Sequence, residues 1–212
     1  MGLLNWVKAI KTIMSGIRYD PEPELRVANV SIFGENAYHP LLLVVLTLED
    51  RRLFGAESPV IISQYFRAWR RSTSWDSIIG EIKYKFFYLG GPQIVHRVWR
   101  DYAKMNAVVY IVSARTRKQF LQQKEELHTL VFDMEAFANV PFLIFCIRYL
   151  GINLSEEQMV ILLGLNNITT GRDRVPLANA NVRPLEVFVV EEFNREQYLE
   201  GIEWLSYHLT NN

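Results

Sequence analysis

The sequence predicts an α/β domain, in which a mostly parallel sheet carries helices on both faces and an amphipathic helix precedes it. Three observations predict it. Apolar runs of strand length, such as AVVYIV, PFLIFCI and PLEVFVV, alternate with segments of helical period. Those runs are almost continuously apolar, as strands covered on both faces must be. The chain has 212 residues, 50% of them hydrophobic, which is enough for one sizeable core without a stapling device.

Residues 1–18, MGLLNWVKAIKTIMSGIR, place Leu3, Leu4, Trp6, Val7, Ile10, Ile13, Met14 and Ile17 near a helical period. Lys8, Lys11 and Arg18 add positive charge, and the segment has no acid. A basic amphipathic helix of this kind can lie on a membrane surface, dock into a partner or cover its own domain, and the pattern leaves the three open. Trp6 is accordingly a candidate partner-binding residue. The acid-free composition also keeps a mitochondrial address open, while no secretory cleavage pattern follows. Gly2 offers an acylation site, although Trp6 stands where Ser or Thr is preferred.

Pro21 and Pro23 make residues 19–24 a linker, since each fixes its own backbone and disfavours helix before it. The main domain is expected over 25–212. LRVANVSIF predicts its first strand, GENAYHP a turn, and residues 41–48 a buried helix. Helical structure is expected around IISQYFRAW. WDSIIGEI and YKFFYL then predict two adjacent strands, QIVHRVWRDYAKM a helix, AVVYIV a strand, and residues 115–134 one long helix. PFLIFCI predicts a strand, LSEEQMVILLGL a helix capped by Ser155, residues 166–181 a loop, and PLEVFVV the last strand. Asn194 opens the final helix, with Tyr198, Ile202 and Leu205 on one face.

Composition excludes some functions. The 23 basic and 23 acidic residues cancel, which gives no strong electrostatic case for nucleic acid. Arg67, Arg70 and Arg71 around Trp69 form a short cluster that reads as a solvated or protein-contacting face. With Cys146 as the sole cysteine there is no intrachain disulfide framework or multi-cysteine metal site. His39 is expected in a loop, and His96, His128 and His208 on helix surfaces. Longer apolar runs fall well short of the roughly 20 residues that span a bilayer. Adjacent Glu191 and Glu192 point differently at a strand end and read as solvent-facing or capping groups, not as an acid–base pair. Phe66, Trp69 and Trp75 are candidate partner-binding anchors, with core packing as the competing reading.

The MGLL opening, LGG at 89–91, Trp99 followed by RDY, KEEL at 124–127, VPFLIF, and GIEW at 201–204 occur in a telling order and spacing. Over nearly its whole length the chain resembles the ADP-ribosylation-factor-like branch of the small GTPases. The resemblance implies P-loop NTPase topology, guanine-nucleotide and magnesium binding, slow GTP hydrolysis, and switches that recruit effectors, often at membranes.

Against that pattern the chain departs at each nucleotide-binding motif. Gly34 matches the first glycine of the phosphate loop. His39 stands at its second glycine, Pro40 at its lysine and Leu41 at its hydroxyl residue. Pro40 supplies neither an amide N–H nor an ammonium group. In FYLGGPQ, Tyr88 stands at the aspartate position and Pro92 at the glutamine position, while Gly90 and Gly91 keep the turn. Thr73 lies in the first switch region without the family's flanks, and reads as part of a turn or hairpin. Ile147, Arg148, Tyr149 and Leu150 stand at the four positions of N-K-x-D, and Val190, Glu191 and Glu192 replace the small polar motif near the last strand.

These departures lead to the expectation of a catalytically silent member that is not an enzyme and takes no cofactor. It would serve as a nucleotide-independent protein-binding scaffold, or as a structural subunit of a large multisubunit complex. Its partners would be proteins, with a membrane surface reachable through residues 1–18 and no nucleic acid. Its place would be cytoplasmic or membrane-associated, with a mitochondrial location still open. The alternative is a divergent guanine-nucleotide-dependent switch, or weak GTPase, in membrane-associated recruitment.

Overall fold

A computed structural model describes residues 25–34, 74–88, 105–148, 154–173, 182–192 and 194–211. Six strands form one sheet: β1 (Arg26–Gly34), β2 (Ser74–Ile79), β3 (Ile82–Tyr88), β4 (Ala107–Val112), β5 (Phe142–Arg148) and β6 (Leu185–Glu191). Their spatial order is β2-β3-β1-β4-β5-β6. Every neighbouring pair is parallel except β2 and β3.

The continuous apolar character of the central strands follows from burial on both faces. Along β4, Val109 and Ile111 join one cluster with Leu143, Phe145 and Phe188. Val108, Tyr110 and Val112 join the opposite cluster with Phe142, Ile144 and Cys146. Successive side chains point to opposite faces, so along β4 and β5 both faces are filled by largely apolar side chains.

The long helix α3 (Arg195–Asn211) covers the first face through Tyr198, Ile202, Trp204 and Leu205. At Gly201 it lies so close to β5 that an added Cβ would stand 2.6 Å from the Phe145 ring. The second face lies under α1 (Arg117–His128) and α2 (Glu156–Leu163). Both begin with reciprocal capping boxes, Thr116 with Gln119 and Ser155 with Gln158, which satisfy amides that have no partner within the helix. Gly164, at φ 73°, ends α2 in the left-handed conformation.

Three expectations about these elements are corrected. WDSIIGEI is not one strand: the chain reverses at Gly80 and Glu81, and Gly80 at φ 60° makes the two-residue turn between β2 and β3. The expected helix over 115–134 stops its regular ladder at His128. A wider turn over Thr129–Asp133 and a tight one over Glu135–Phe137 follow, and together they bury Leu130, Val131, Met134 and Phe137 beside Leu127. His208 is not a surface residue: it is 2% exposed, packed against Trp204 and Tyr207. His128 is half-buried, with its Nε2 2.6 Å from the Leu163 carbonyl oxygen.

Residues 1–24, the helices expected over 41–48 and around IISQYFRAW, and all but Met105 of the helix expected over 93–105 lie outside the described residues. So do Trp6, His39, Pro40, Leu41, Phe66, Trp69, Thr73, Gly90, Gly91, Pro92, His96 and Leu150. Among the described residues no helix is long and apolar enough to cross a membrane.

Candidate functional site at the carboxyl edge of the sheet

Strand β1 sits between β3 and β4, so the connections that follow β1 and β3 lead to opposite sides of it. In an open α/β sheet the crevice outside the carboxyl ends of the strands at such a reversal is where ligands bind. The ends of β1, β4, β5 and β6 form this edge, and they carry Gly34, Val112, Arg148 and Glu191.

Gly34 closes β1 at φ 117°, in register with Ile111 of β4. A Cβ there would lie 2.3 Å from the Ile111 carbonyl oxygen. Both the dihedral and the close approach of two backbones therefore require glycine. This is the one residue of the expected phosphate-loop set that the structure describes. Tyr88 ends β3 and pairs with Ile32, two residues before Gly34. Trp75 lies in β2 opposite Phe86.

At the end of β5, Ile147 is 7% exposed and belongs to the cluster under α3. Arg148 follows, half-buried, its Nε enclosed without a hydrogen-bond partner. At the end of β6, Glu191 is exposed and its amide donates to the Gln197 side chain at 2.7 Å. Tyr198 donates through its hydroxyl to the Glu192 carbonyl, and Asn194 accepts from the Gln197 amide, so the turn is tied to the start of α3. These bonds use the main chain of Glu191 and Glu192, and the exposed Glu191 side chain agrees with the solvent-facing reading.

Guanine recognition of the N-K-x-D kind needs an amide and a carboxylate side chain beside the base. Ile147 is apolar, and Arg148 brings donors only. The described side chains at this edge do not fit guanine through those contacts. Among the described residues, no group of three or more His, Cys, Asp or Glu residues could hold a metal ion.

A second polar constellation escaped the sequence reading. Glu186, the second residue of β6, is 7% exposed. Burial pushes its carboxyl up from the ordinary range, while the amides of Val187 and Gly171 and the nearby Arg172 pull it back. Its two oxygens accept from Val187 N at 3.0 Å and Gly171 N at 2.7 Å. Arg172 forms ion pairs with Glu156 and Glu200 and lies 4.0 Å above the Phe188 ring. Trp204 donates from Nε1 to the Gly171 carbonyl at 3.0 Å. Together they pin residues 170–172 between α2, β6 and α3. The one sequence signal was an acid inside PLEVFVV, since a carboxyl set in a buried strand needs donors.

Three comparisons place the chain among known proteins. Residues 73–209 match the model of the ADP-ribosylation factor family. The chain is 36% identical over 149 residues to the small COPII coat GTPase SAR1 of Nicotiana tabacum, an alignment that covers 65% of this chain and 72% of that protein. It is 30% identical over 142 residues to the small COPII coat GTPase SAR1 of Giardia intestinalis, covering 66% and 73% respectively. In fold it is similar to the Arl6 BBS3 small GTPase of Trypanosoma brucei, solved with the nucleotide analogue GppNp. The TM-score is 0.59 at 15% identity, over 87% of this chain and 98% of that one. The expectation that the chain is not an enzyme is thereby corrected: the relatives it matches are GTPases by name.

Proposed function

Because the chain belongs to the ADP-ribosylation factor family, we propose that it acts as a divergent guanine-nucleotide-dependent switch that recruits a protein partner at a membrane. The observation that carries this reading is the family match from the β2–β3 hairpin to α3, together with relatives named as coat GTPases. The backbone at Gly34 supports it, because a glycine that brings β1 against β4 keeps the end of β1 narrow where a phosphate-binding turn would begin. The test is calorimetric titration of extensively desalted protein with GDP, GTP and ATP, with and without magnesium. Saturable guanine-nucleotide binding, followed by nucleotide-dependent exchange of a co-purified partner, is the expected result. No saturable heat with any nucleotide would remove the reading.

Ile147 and Arg148 favour a second reading, in which the partner is held whatever the nucleotide state, as by a scaffold or structural subunit of a larger assembly. Co-purification under native salt from nucleotide-depleted material separates the two. A partner retained there supports the second reading, and one released there supports the first. Membrane contact is assigned to residues 1–18. Deleting them should abolish vesicle binding without lowering the melting temperature, whereas marked destabilisation would assign them to domain packing.

A further inference from the structure

Beside the edge just described, α1, α2 and the ends of β4 and β5 enclose a cavity of about 490 Å³. Cavities that hold small organic ligands run from roughly 300 to 1,000 Å³ and are mostly apolar, with a few placed polar groups. Here Val112, Phe120, Cys146, Met159, Leu162 and Val189 supply apolar wall. Charge enters from one sign only: Arg115, Arg117, Lys124 and Arg148 line it, and no acid does among the described residues.

The cations differ in what they can offer. Arg115 and Arg117 are exposed at the mouth, next to the Thr116 cap. Lys124 reaches across the opening and donates to the Leu162 carbonyl at 2.8 Å, bridging α1 to α2. Arg148 is set deeper, with its Nε enclosed and lacking a protein partner. A buried donor without a partner carries a desolvation cost that an anionic acceptor would relieve. Glu156, whose charge bears on Cys146, is already engaged by Arg172 and the Val189 amide.

We infer that this cavity binds a small amphipathic anion, an apolar chain or ring bearing one carboxylate or comparable head, with the chain against Phe120, Met159 and Leu162 and the head toward Arg148. The chain's own N-terminal segment is a poor occupant, because residues 1–18 carry Lys8, Lys11 and Arg18 and no acid, the same sign as the cavity's cations. The cavity shares Ile147 and Arg148 with the edge described above but is not lined by Gly34, and the inference does not require nucleotide binding.

Decanoate below its micellar concentration is the probe, titrated calorimetrically into the full chain, with decanol and inorganic phosphate as the two half-ligands. Saturable one-to-one binding of decanoate is expected, with decanol and phosphate each weaker by at least about tenfold. The Met159 methyl resonance, assigned through Met159→Leu, should shift on decanoate addition and give the same affinity. Arg148→Met removes the head's partner but keeps an apolar stem. Leu121→Glu places a negative charge at a half-exposed position lining the cavity. Both should weaken decanoate at least about tenfold at unchanged melting temperature. No saturable heat, equal affinity for decanol, an unmoved Met159 methyl, or wild-type affinity in both variants would each overturn the inference. Displacement of decanoate by GDP or GTP would also overturn it, because the probe would then occupy the nucleotide crevice.

Discussion

Replacing Gly34 by alanine tests whether the end of β1 is shaped by backbone necessity. Two costs add there. At φ 117° an L-residue leaves its preferred region, which costs about 1–2 kcal/mol. The new Cβ would also lie 2.3 Å from the Ile111 carbonyl oxygen, where ordinary contact begins at 3.4 Å. The atom it meets is backbone of the central strand β4, so relief requires separating β1 from β4 at the carboxyl edge. Overpacking of this kind costs about 1–3 kcal/mol. Together these give about 3 kcal/mol, or a melting temperature lower by about 6–12 °C for a chain of this size. Gly80→Ala is the internal control: its φ is also positive, at 60°, but nothing lies within 4 Å of the added Cβ. It should lose only the dihedral cost, about 1–2 kcal/mol. Both variants restrict the unfolded chain equally, so the difference between them reports the contact with β4 together with the greater backbone strain at φ 117°. Thermal and urea unfolding followed by circular dichroism give the comparison. Equal losses in the two variants would refute the argument that β1 and β4 approach too closely for a side chain.

Two further outcomes follow from packing and charge. Gly201→Ala gains about 1 kcal/mol in helix propensity but drives a methyl to 2.6 Å from the Phe145 ring, so overpacking should win by about 1 kcal/mol, read as a melting temperature about 2–4 °C lower. Glu186, whose carboxyl burial pushes up, takes up a proton more readily folded than unfolded, so its contribution is fully present below the ordinary glutamate pKa of about 4.3 and is lost as pH rises through the raised value. Glu186→Gln should flatten stability against pH across that window, and an unchanged slope in urea titrations at stepped pH would show that Arg172 and the two amides cancel the burial effect.

What the sequence disclosed follows from which interactions depend on area and which on placement. AVVYIV and PFLIFCI were legible as strands because burial fills both faces with largely apolar side chains, and that constraint is written residue by residue. Ser155 was legible as a cap because its partner Gln158 lies three positions on. His208 was misplaced although its surroundings were readable: it lies four residues after Trp204 and three after Leu205, on the buried side of α3. The break after His128 was hidden, since the apolar spacing of Leu127, Leu130, Val131 and Met134 suits a regular helix as well as the wider turn. Arg172 was hidden for another reason. Its partners Glu156 and Glu200 lie 16 and 28 residues away, and only the tertiary fold brings them together.

The expectation that the chain is not an enzyme, which relatives named as GTPases overturn, rested on side-chain identities alone. Ile147 and Arg148 are real departures in side-chain chemistry at the end of β5. Anion recognition at the carboxyl edge of an α/β sheet, however, draws on main-chain amides and on the helix N-termini behind them, and these are set by backbone path. Gly34 shows that path being held at the end of β1 by a dihedral and an interstrand contact that together admit no other residue. A motif scored by side-chain identity therefore weighs the replaceable part of such a site heavily and the backbone part hardly at all. Binding measured with Gly34→Ala beside Arg148→Met would separate the two contributions: a backbone-held site loses nucleotide with the first substitution and keeps most of it with the second.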